Sequence, residues 1–346
     1  MSNEGKGSVL RLVQAGLGGW GRDWARRIVS RSSEVAVTAI VDADAAALAR
    51  AGEETGIEAQ RRFTSLEEAL AAVEADAVLI TASLPGHAPL VRTALEAGRH
   101  VLVEKPFAPT VAEAEELVSL AERRQRVLMV SQNYRFHGAV EAVRDLVRQG
   151  SMGAVSSVGI DFRRLSEGER HFRLDQPLLV DMAIHHFDLM RHVLGQDANR
   201  IFCWTWNPAW SRFQSPPAGA AVVTFDAGAV VSYRGSWISR GPITPWAGEW
   251  RMELEGGEVV WTSRGDMDSH LEEVEIRPLK GEPRSLELRP TPWVDRAGSL
   301  HEFVAAVTEG REPISSGRAN LGSLALVAAS VASATSGEPV DLISPD

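Results

Sequence analysis

"VQAGLGGWGRDWARRI", residues 13–28, spaces three glycines, Gly16, Gly18 and Gly21, as G-x-G-x-x-G between a β-rich apolar run and a helix-like run. A glycine triplet alone is a weak signal, because glycines gather in many loops. The strand before it and the helix after it make this one the turn that cradles a dinucleotide pyrophosphate. Gly16 permits the tight turn, Gly18 lets the backbone approach the phosphates, and Gly21 lets the helix pack closely on the strand. The first amides of that helix then face the anion. Asp42 closes the next β-rich run, about 20 residues further on, where a carboxylate accepts a ribose 2′-hydroxyl. Ala43 follows it rather than an arginine, so the reading favours NAD over NADP. The competing reading is a glycine turn in a doubly wound sheet that binds nothing.

Around this turn the chain alternates strands and helices as far as residue 133, the pattern of a parallel sheet covered by helices. Strands are expected at 9–16, 35–42, 76–83, 100–106 and 126–133, with a weaker one near "RRFTS". Helices are expected at 20–32, 44–55, 65–74, 87–97 and 110–125. Beyond 133 the rhythm changes to a helix, a strand, a second helix and then strand-like runs between 200 and 290, which suggest a mostly antiparallel sheet. Two helical runs, 298–309 and about 319–336, close the chain. The expected class is α/β: a dinucleotide-binding Rossmann domain over residues 1–131 and an α+β domain over 132–346.

Composition narrows the function. A formal charge of −10 opposes sequence-independent nucleic-acid binding, which needs a basic face. The single cysteine, Cys203, allows neither an intramolecular disulfide nor a cysteine-based zinc site. No run of signal-peptide type is read at the start and no membrane span along the chain, so the expected location is the cytoplasm. No metal and no membrane or nucleic-acid partner is expected.

Two further stretches carry chemistry. "HVLVEKPFAPT" sets Lys105 at the carboxyl end of an expected buried strand, where open α/β sheets bind their ligands. "LLVDMAIHHFDLMRH", residues 178–192, places Asp181, His185, Asp188 and His192 within about 60° of one another at 100° per residue. A solvated edge, a metal site and a catalytic acid–base group all fit that stripe. Four ligands over about three helical turns lie too far apart for one ion, which weighs against the metal.

Taken together, "GLGGWG", "ALEAGRHVLVEKPFAPT", "NYRFHGAVEAVRDLVRQGSMGAV" and "DMAIHHFD" follow the order and spacing of the Gfo/Idh/MocA oxidoreductases, which the chain resembles over nearly its full length. The resemblance implies a nucleotide-binding domain followed by a domain with a large open sheet that often mediates oligomers, here a homodimer or homotetramer. It implies an NAD(P)-dependent dehydrogenase or reductase acting on the hydroxyl or carbonyl carbon of a sugar, cyclitol or related polyol. The family lysine corresponds to Lys105, and its Asp and His four apart to Asp181 and His185. The cofactor-binding set is Gly16, Leu17, Gly18, Gly19, Trp20, Gly21 and Asp42, joined through the resemblance by Leu84, His87, Glu104, Lys105, Asn133 and Arg135.

In that reading His185 is the general acid/base, because a neutral imidazole titrates near working pH. Lys105 polarises the substrate oxygen and relays its proton. Asp181 positions the substrate and the histidine. Asp188 and His192 are assigned to structure, and His186, about 140° from Asp181, to packing or a backbone contact. The chain departs from many relatives at "RLDQPLLVD", where a glycine-rich turn is usual, and at "SLPGHA". NAD-dependent glycoside cleavage and a non-catalytic nucleotide-sensing protein are the alternatives. Eight of the ten tryptophans lie between 204 and 293; for Trp204 and Trp206 an interface is favoured over a sugar-stacking surface.

Overall fold

Short apolar runs bounded by capping residues become the buried strands of a parallel sheet in the computed structural model, which describes residues 9–265 and 272–342. In chain order the first part runs β1 (Leu10–Ala15), α1 (Gly19–Arg27), β2 (Val35–Val41), α2 (Ala45–Thr55), β3 (Arg62–Phe63) and α3 (Leu66–Ala72). It continues with β4 (Ala77–Ile80), α4 (Leu84–Glu96), β5 (His100–Glu104), α5 (Val111–Arg124) and β6 (Leu128–Ser131). The strand order is β3-β2-β1-β4-β5-β6, every pair parallel. A sheet covered on both faces needs strands that are apolar throughout, and the four residues of β4 are all buried.

Caps set the helix starts. Asp44 accepts from the Ala46 amide, Ser65 from Glu68 and Thr110 from Glu113, each satisfying an amide that the helix leaves open. The order of strands reverses between β1 and β4, and the crevice at such a point is where doubly wound sheets hold ligands.

The second part comprises α6 (Gly138–Gln149), β7 (Val155–Arg163), α7 (Glu169–Phe172), a π-helical turn over Leu178–Ala183 and α8 (Ile184–Leu194). Seven strands follow: β8 (Ala198–Trp206), β9 (Ala218–Phe225), β10 (Val230–Ser236), β11 (Glu249–Leu254), β12 (Gly257–Thr262), β13 (Glu273–Pro278) and β14 (Arg284–Ser285). The chain ends on α9 (Asp295–Glu309), α10 (Gly317–Ser336) and β15 (Val340–Asp341). Among the described residues nine strands form one sheet in the order β14-β13-β12-β11-β7-β10-β9-β8-β15, antiparallel except for β7 beside β10.

Burial alternates along these strands, as in β11, whose Trp250, Met252 and Leu254 point inward between exposed neighbours. The inner face packs on Val140 and Val143 of α6, Phe187 and Leu189 of α8, and Leu326 and Val327 of α10. The outer face is charged over β7 and β11–β13, where Arg163 pairs with Glu249 and Arg277 with Glu258. Over β8 and β9 it is aromatic, with Phe202, Trp204, Trp206 and Val222 exposed.

Chain connectivity divides the molecule differently from a single cut. One compact unit runs to Asn133 and takes in Asp295–Leu321; the other holds Tyr134–Val294 and the chain from Gly322. In the first unit, Ser315 and Ser316 lie along β6: the Val130 amide donates to the Ser315 carbonyl, and the Ser315 hydroxyl donates back to the Val130 carbonyl. A bare sheet edge is thereby covered. Among the described residues, α10 is the helix long and apolar enough to cross a membrane by length and composition. Half of it is buried, and its Ser330 and Ser333 hydroxyls donate to the Val327 and Glu338 carbonyls.

Candidate cofactor loop and active site

In the first unit the glycine turn leaves β1 at Gly16, whose φ of 92° is the left-handed region that favours glycine. A Cβ at Gly16 would strike the Ala82 amide, and one at Gly21 the Gly16 carbonyl. Gly18 and Gly19 instead have open space where a side chain would stand. The first turn of α1 carries no acidic residue, so nothing opposes an anion at its amides. Asp42 comes to the same place: its carboxylate accepts the Leu17 amide at 2.5 Å and the Asp44 amide at 2.8 Å. The residues present therefore fit a dinucleotide, with glycines cleared for phosphate and a carboxylate held beside them.

Trp20 is half exposed, and the Arg296 guanidinium lies 4.2 Å over its ring while pairing with Asp23 at 2.6 Å. The Trp24 indole donates to Glu104 Oε1 at 2.6 Å, and the Lys105 amide lies 3.3 Å from Glu104 Oε2. Glu104 is thus buried as the anchor of the strand end, whereas Lys105 is half-buried at the carboxyl end of β5, with a cis bond to Pro106. His87 is buried in α4, its ring nitrogens 2.7 Å from the Pro106 carbonyl and 2.9 Å from that of Ala82. Leu84 opens the same helix, half-buried. Asn133 donates its side-chain amide to Asp295.

The second unit holds the remaining residues. Arg135 forms a buried bidentate pair with Asp188, two bonds of 2.6 Å, and the Ser323 hydroxyl adds a third at 2.9 Å. Asp181 lies in the π-helical turn, with His171 Nε2 3.3 Å from its Oδ2. His185 is stacked flat on Tyr134, ring centres 4.0 Å apart and planes 3° from parallel. The Arg264 guanidinium is 4.4 Å over that Tyr134 ring and donates to its hydroxyl at 3.1 Å. Imidazole and guanidinium therefore both rest on the Tyr134 ring.

The next histidine behaves differently. His186 Nε2 donates to the Trp246 carbonyl and its Nδ1 accepts from the Tyr233 hydroxyl, both at 3.0 Å. Burial lowers its pKa to about 4, so it stays neutral. Burial likewise lowers His192, with Arg135, Arg144 and Arg148 adding to the effect. Among residues the sequence did not single out are Tyr134, His171, Arg264, Trp24 and Arg296. Tyr134 had a signal, lying between Asn133 and Arg135, and Trp24 another, one helical turn after Trp20. The other three had none, because they arrive from distant chain.

Residues 10–132 match the oxidoreductase family with an NAD-binding Rossmann fold named GFO_IDH_MocA, and residues 140–259 match the GFO/IDH/MocA C-terminal domain. A D-apiose dehydrogenase from Paraburkholderia graminis is 32% identical over 88% of this chain and 83% of its own. The chain belongs to the Gfo/Idh/MocA oxidoreductase family. Two solved structures share the fold, each at a TM-score of 0.84. An oxidoreductase from Agrobacterium radiobacter in complex with NAD+, L-tartaric acid and magnesium is 21% identical, over 96% of this chain and 98% of that one. An aldose-aldose oxidoreductase from Caulobacter crescentus complexed with glycerol is 23% identical, over 96% and 99%. As a Gfo/Idh/MocA member the protein is an NAD-dependent oxidoreductase, and its glycine turn and Asp42 lie in the family's NAD-binding domain.

Proposed function

We propose that the protein moves a hydride between NAD and a hydroxyl or carbonyl carbon of a sugar, cyclitol or sugar-like polyol, with His185 as general acid/base and Lys105 as its partner. The observation that carries the reading is Lys105 at the carboxyl end of β5, in the unit that also holds the glycine turn and Asp42. The similarity to a D-apiose dehydrogenase supports the substrate class. Bound NAD supplies the hydride acceptor or donor. Gly16, Leu17, Gly18, Gly19, Trp20 and Gly21 would hold its diphosphate side, and Asp42 its ribose, which favours NAD over NADP. Leu84 and His87 on α4, Glu104 at the end of β5, Lys105, Asn133 and Arg135 would complete the cofactor-binding set, Arg135 acting from its pair with Asp188.

In the oxidising direction the neutral imidazole of His185 takes the hydroxyl proton as the hydride leaves. The flat stack on Tyr134 fixes that ring's plane, and the Lys105 ammonium stabilises charge developing on the substrate oxygen. Asp181 accepts a neighbouring substrate hydroxyl. In the reducing direction His185 returns the proton. The test is NADH-linked turnover across a polyol panel, comparing His185→Ala and Lys105→Ala with the unmodified protein. Loss of turnover in both variants, with NADH still bound, is expected; full activity in both would contradict the assignment.

The same reading places the protein in the cytoplasm and makes it a homodimer or homotetramer through the open sheet. The oligomer rests on the exposed Phe202, Trp204 and Val222, which with Ala220, Ser232 and Arg234 line a shallow groove of about 440 Å³. An apolar patch of this kind marks a contact surface. Trp204→Ser should lower the mass seen by light scattering; an unchanged mass contradicts the interface.

A further inference from the structure

His171, on the short helix α7, stands between Ser166, which it meets at hydrogen-bond distance, and Asp181, which it meets in an ion-pair contact. Its Nδ1 is 2.7 Å from Ser166 Oγ, its Nε2 is 3.3 Å from Asp181 Oδ2, and its ring centre is 5.0 Å from that of Trp237. A carboxylate only accepts, so Nε2 carries a hydrogen, and Nδ1 of the neutral ring accepts from the Ser166 hydroxyl. When both nitrogens are protonated, the hydroxyl turns and accepts instead. The line therefore persists in either state without any heavy atom moving.

Among the contacts of His171 named above, Asp181 carries charge, while Ser166 and Trp237 do not. Glu169, Arg170 and Arg173 are the charged residues on or beside its own helix. The His171 and Asp181 side chains are 31% and 35% exposed, so a solute can reach both. That separates the pair from His186, which is sealed between Tyr233 and Trp246. A carboxylate offers about four acceptor sites, so the contact with His171 leaves others for a solute.

We propose that His171 is a positioning residue, holding the Asp181 carboxylate through the Ser166–His171–Asp181 line so that it accepts a second hydroxyl of a polyol substrate. The proposal rests on the reading that Asp181 meets substrate, and it makes the line selective for substrates with a hydroxyl beside the reacting carbon. His171→Ala removes both contacts, while His171→Gln restores an amide donor for Asp181 and a carbonyl for Ser166.

With holoenzyme and a polyol it turns over, His171→Ala should raise KM about tenfold with kcat within about threefold, and His171→Gln should recover most of the loss. A second readout needs no activity. Equilibrium binding of the polyol to the NADH-loaded protein should weaken about tenfold in His171→Ala and recover in His171→Gln. An unchanged KM or an unchanged polyol affinity in His171→Ala overturns the positioning role while leaving the dehydrogenase reading intact. Absence of polyol turnover by the unmodified protein overturns that reading instead, and the polyol hydroxyl with it.

Discussion

The segment from Leu178 to Leu194 carries the same chemical pair twice, and its two carboxylates meet opposite surroundings. Asp181 and His185 stand four apart near its start, Asp188 and His192 four apart near its end. Asp188 is sealed at 1% exposure under Arg135 and Ser323. His192 is held neutral by burial and by three arginines. Asp181 keeps a third of its side chain open and leans on His171, while His185 lies flat on Tyr134. Residue type and spacing nominate all four equally. What the neighbouring elements bring separates the sealed Asp188 from the half-open Asp181.

The widest gap between the halves should appear in turnover. His185→Ala is expected to lower kcat by about 10²–10⁴, the usual worth of a positioned acid or base, whereas His192→Phe should stay within about threefold. Steady-state kinetics on one substrate compares them, and equal losses would erase the distinction. In stability the order reverses. Asp188→Ala strands the Arg135 charge in the interior and should cost about 3–5 kcal/mol in urea unfolding. Asp181→Ala, at a half-exposed site, should cost less than about 1 kcal/mol.

Acid titration sharpens the same contrast. His186 is lowered to about 4 by burial, so below the ordinary histidine range the unfolded chain binds a proton that the folded chain refuses. Its stabilising contribution is complete above about pH 6.5 and is lost as pH falls toward 4, roughly 2 kcal/mol of it by pH 5. His100 and His192 are lowered too and act in the same direction. Urea midpoints at pH 7 and pH 5 should differ accordingly, and His186→Asn should narrow the gap; an unaltered gap would assign the acid sensitivity elsewhere. The smallest effect is expected at the stack. Tyr134→Leu frees the His185 ring and should lower kcat about tenfold, since catalysis depends on the orientation of the group. A Tyr134→Leu enzyme with unaltered kcat would leave the stack a packing contact only.

Much of the first unit could be read from sequence because its signals are local. The strand before Gly16, the helix after Gly21 and the carboxylate at Asp42 lie on consecutive elements, and the structure joins them through the Leu17 amide. Lys105 was legible for the same reason, at the end of an apolar run stopped by a proline. The return of Asp295–Leu321 to that unit was not legible, since Ser315 meets Val130 across 185 positions. Arg296 over Trp20 is hidden in the same way.

On the substrate side, a wheel at 100° per residue assumed a regular helix, but Leu178–Ala183 winds as a wider π turn. Such turns often mark functional sites. The wheel grouped Asp181 with Asp188; Arg135, arriving from before α6, divided them. His171 follows "LSEGER", a run with no periodic signal, and only tertiary packing sets it on Asp181.

The central claim is hydride transfer between NAD and a polyol carbon, with His185 handling the proton. Its most direct test supplies NAD+ with a polyol deuterated at its CH–OH carbons and follows the label by mass spectrometry of the cofactor. The expected result is NADH carrying one deuterium, formed by the unmodified protein and not by His185→Ala. NAD bound by the protein with no deuterium transferred across the polyol panel, or equal transfer by His185→Ala, would contradict the account.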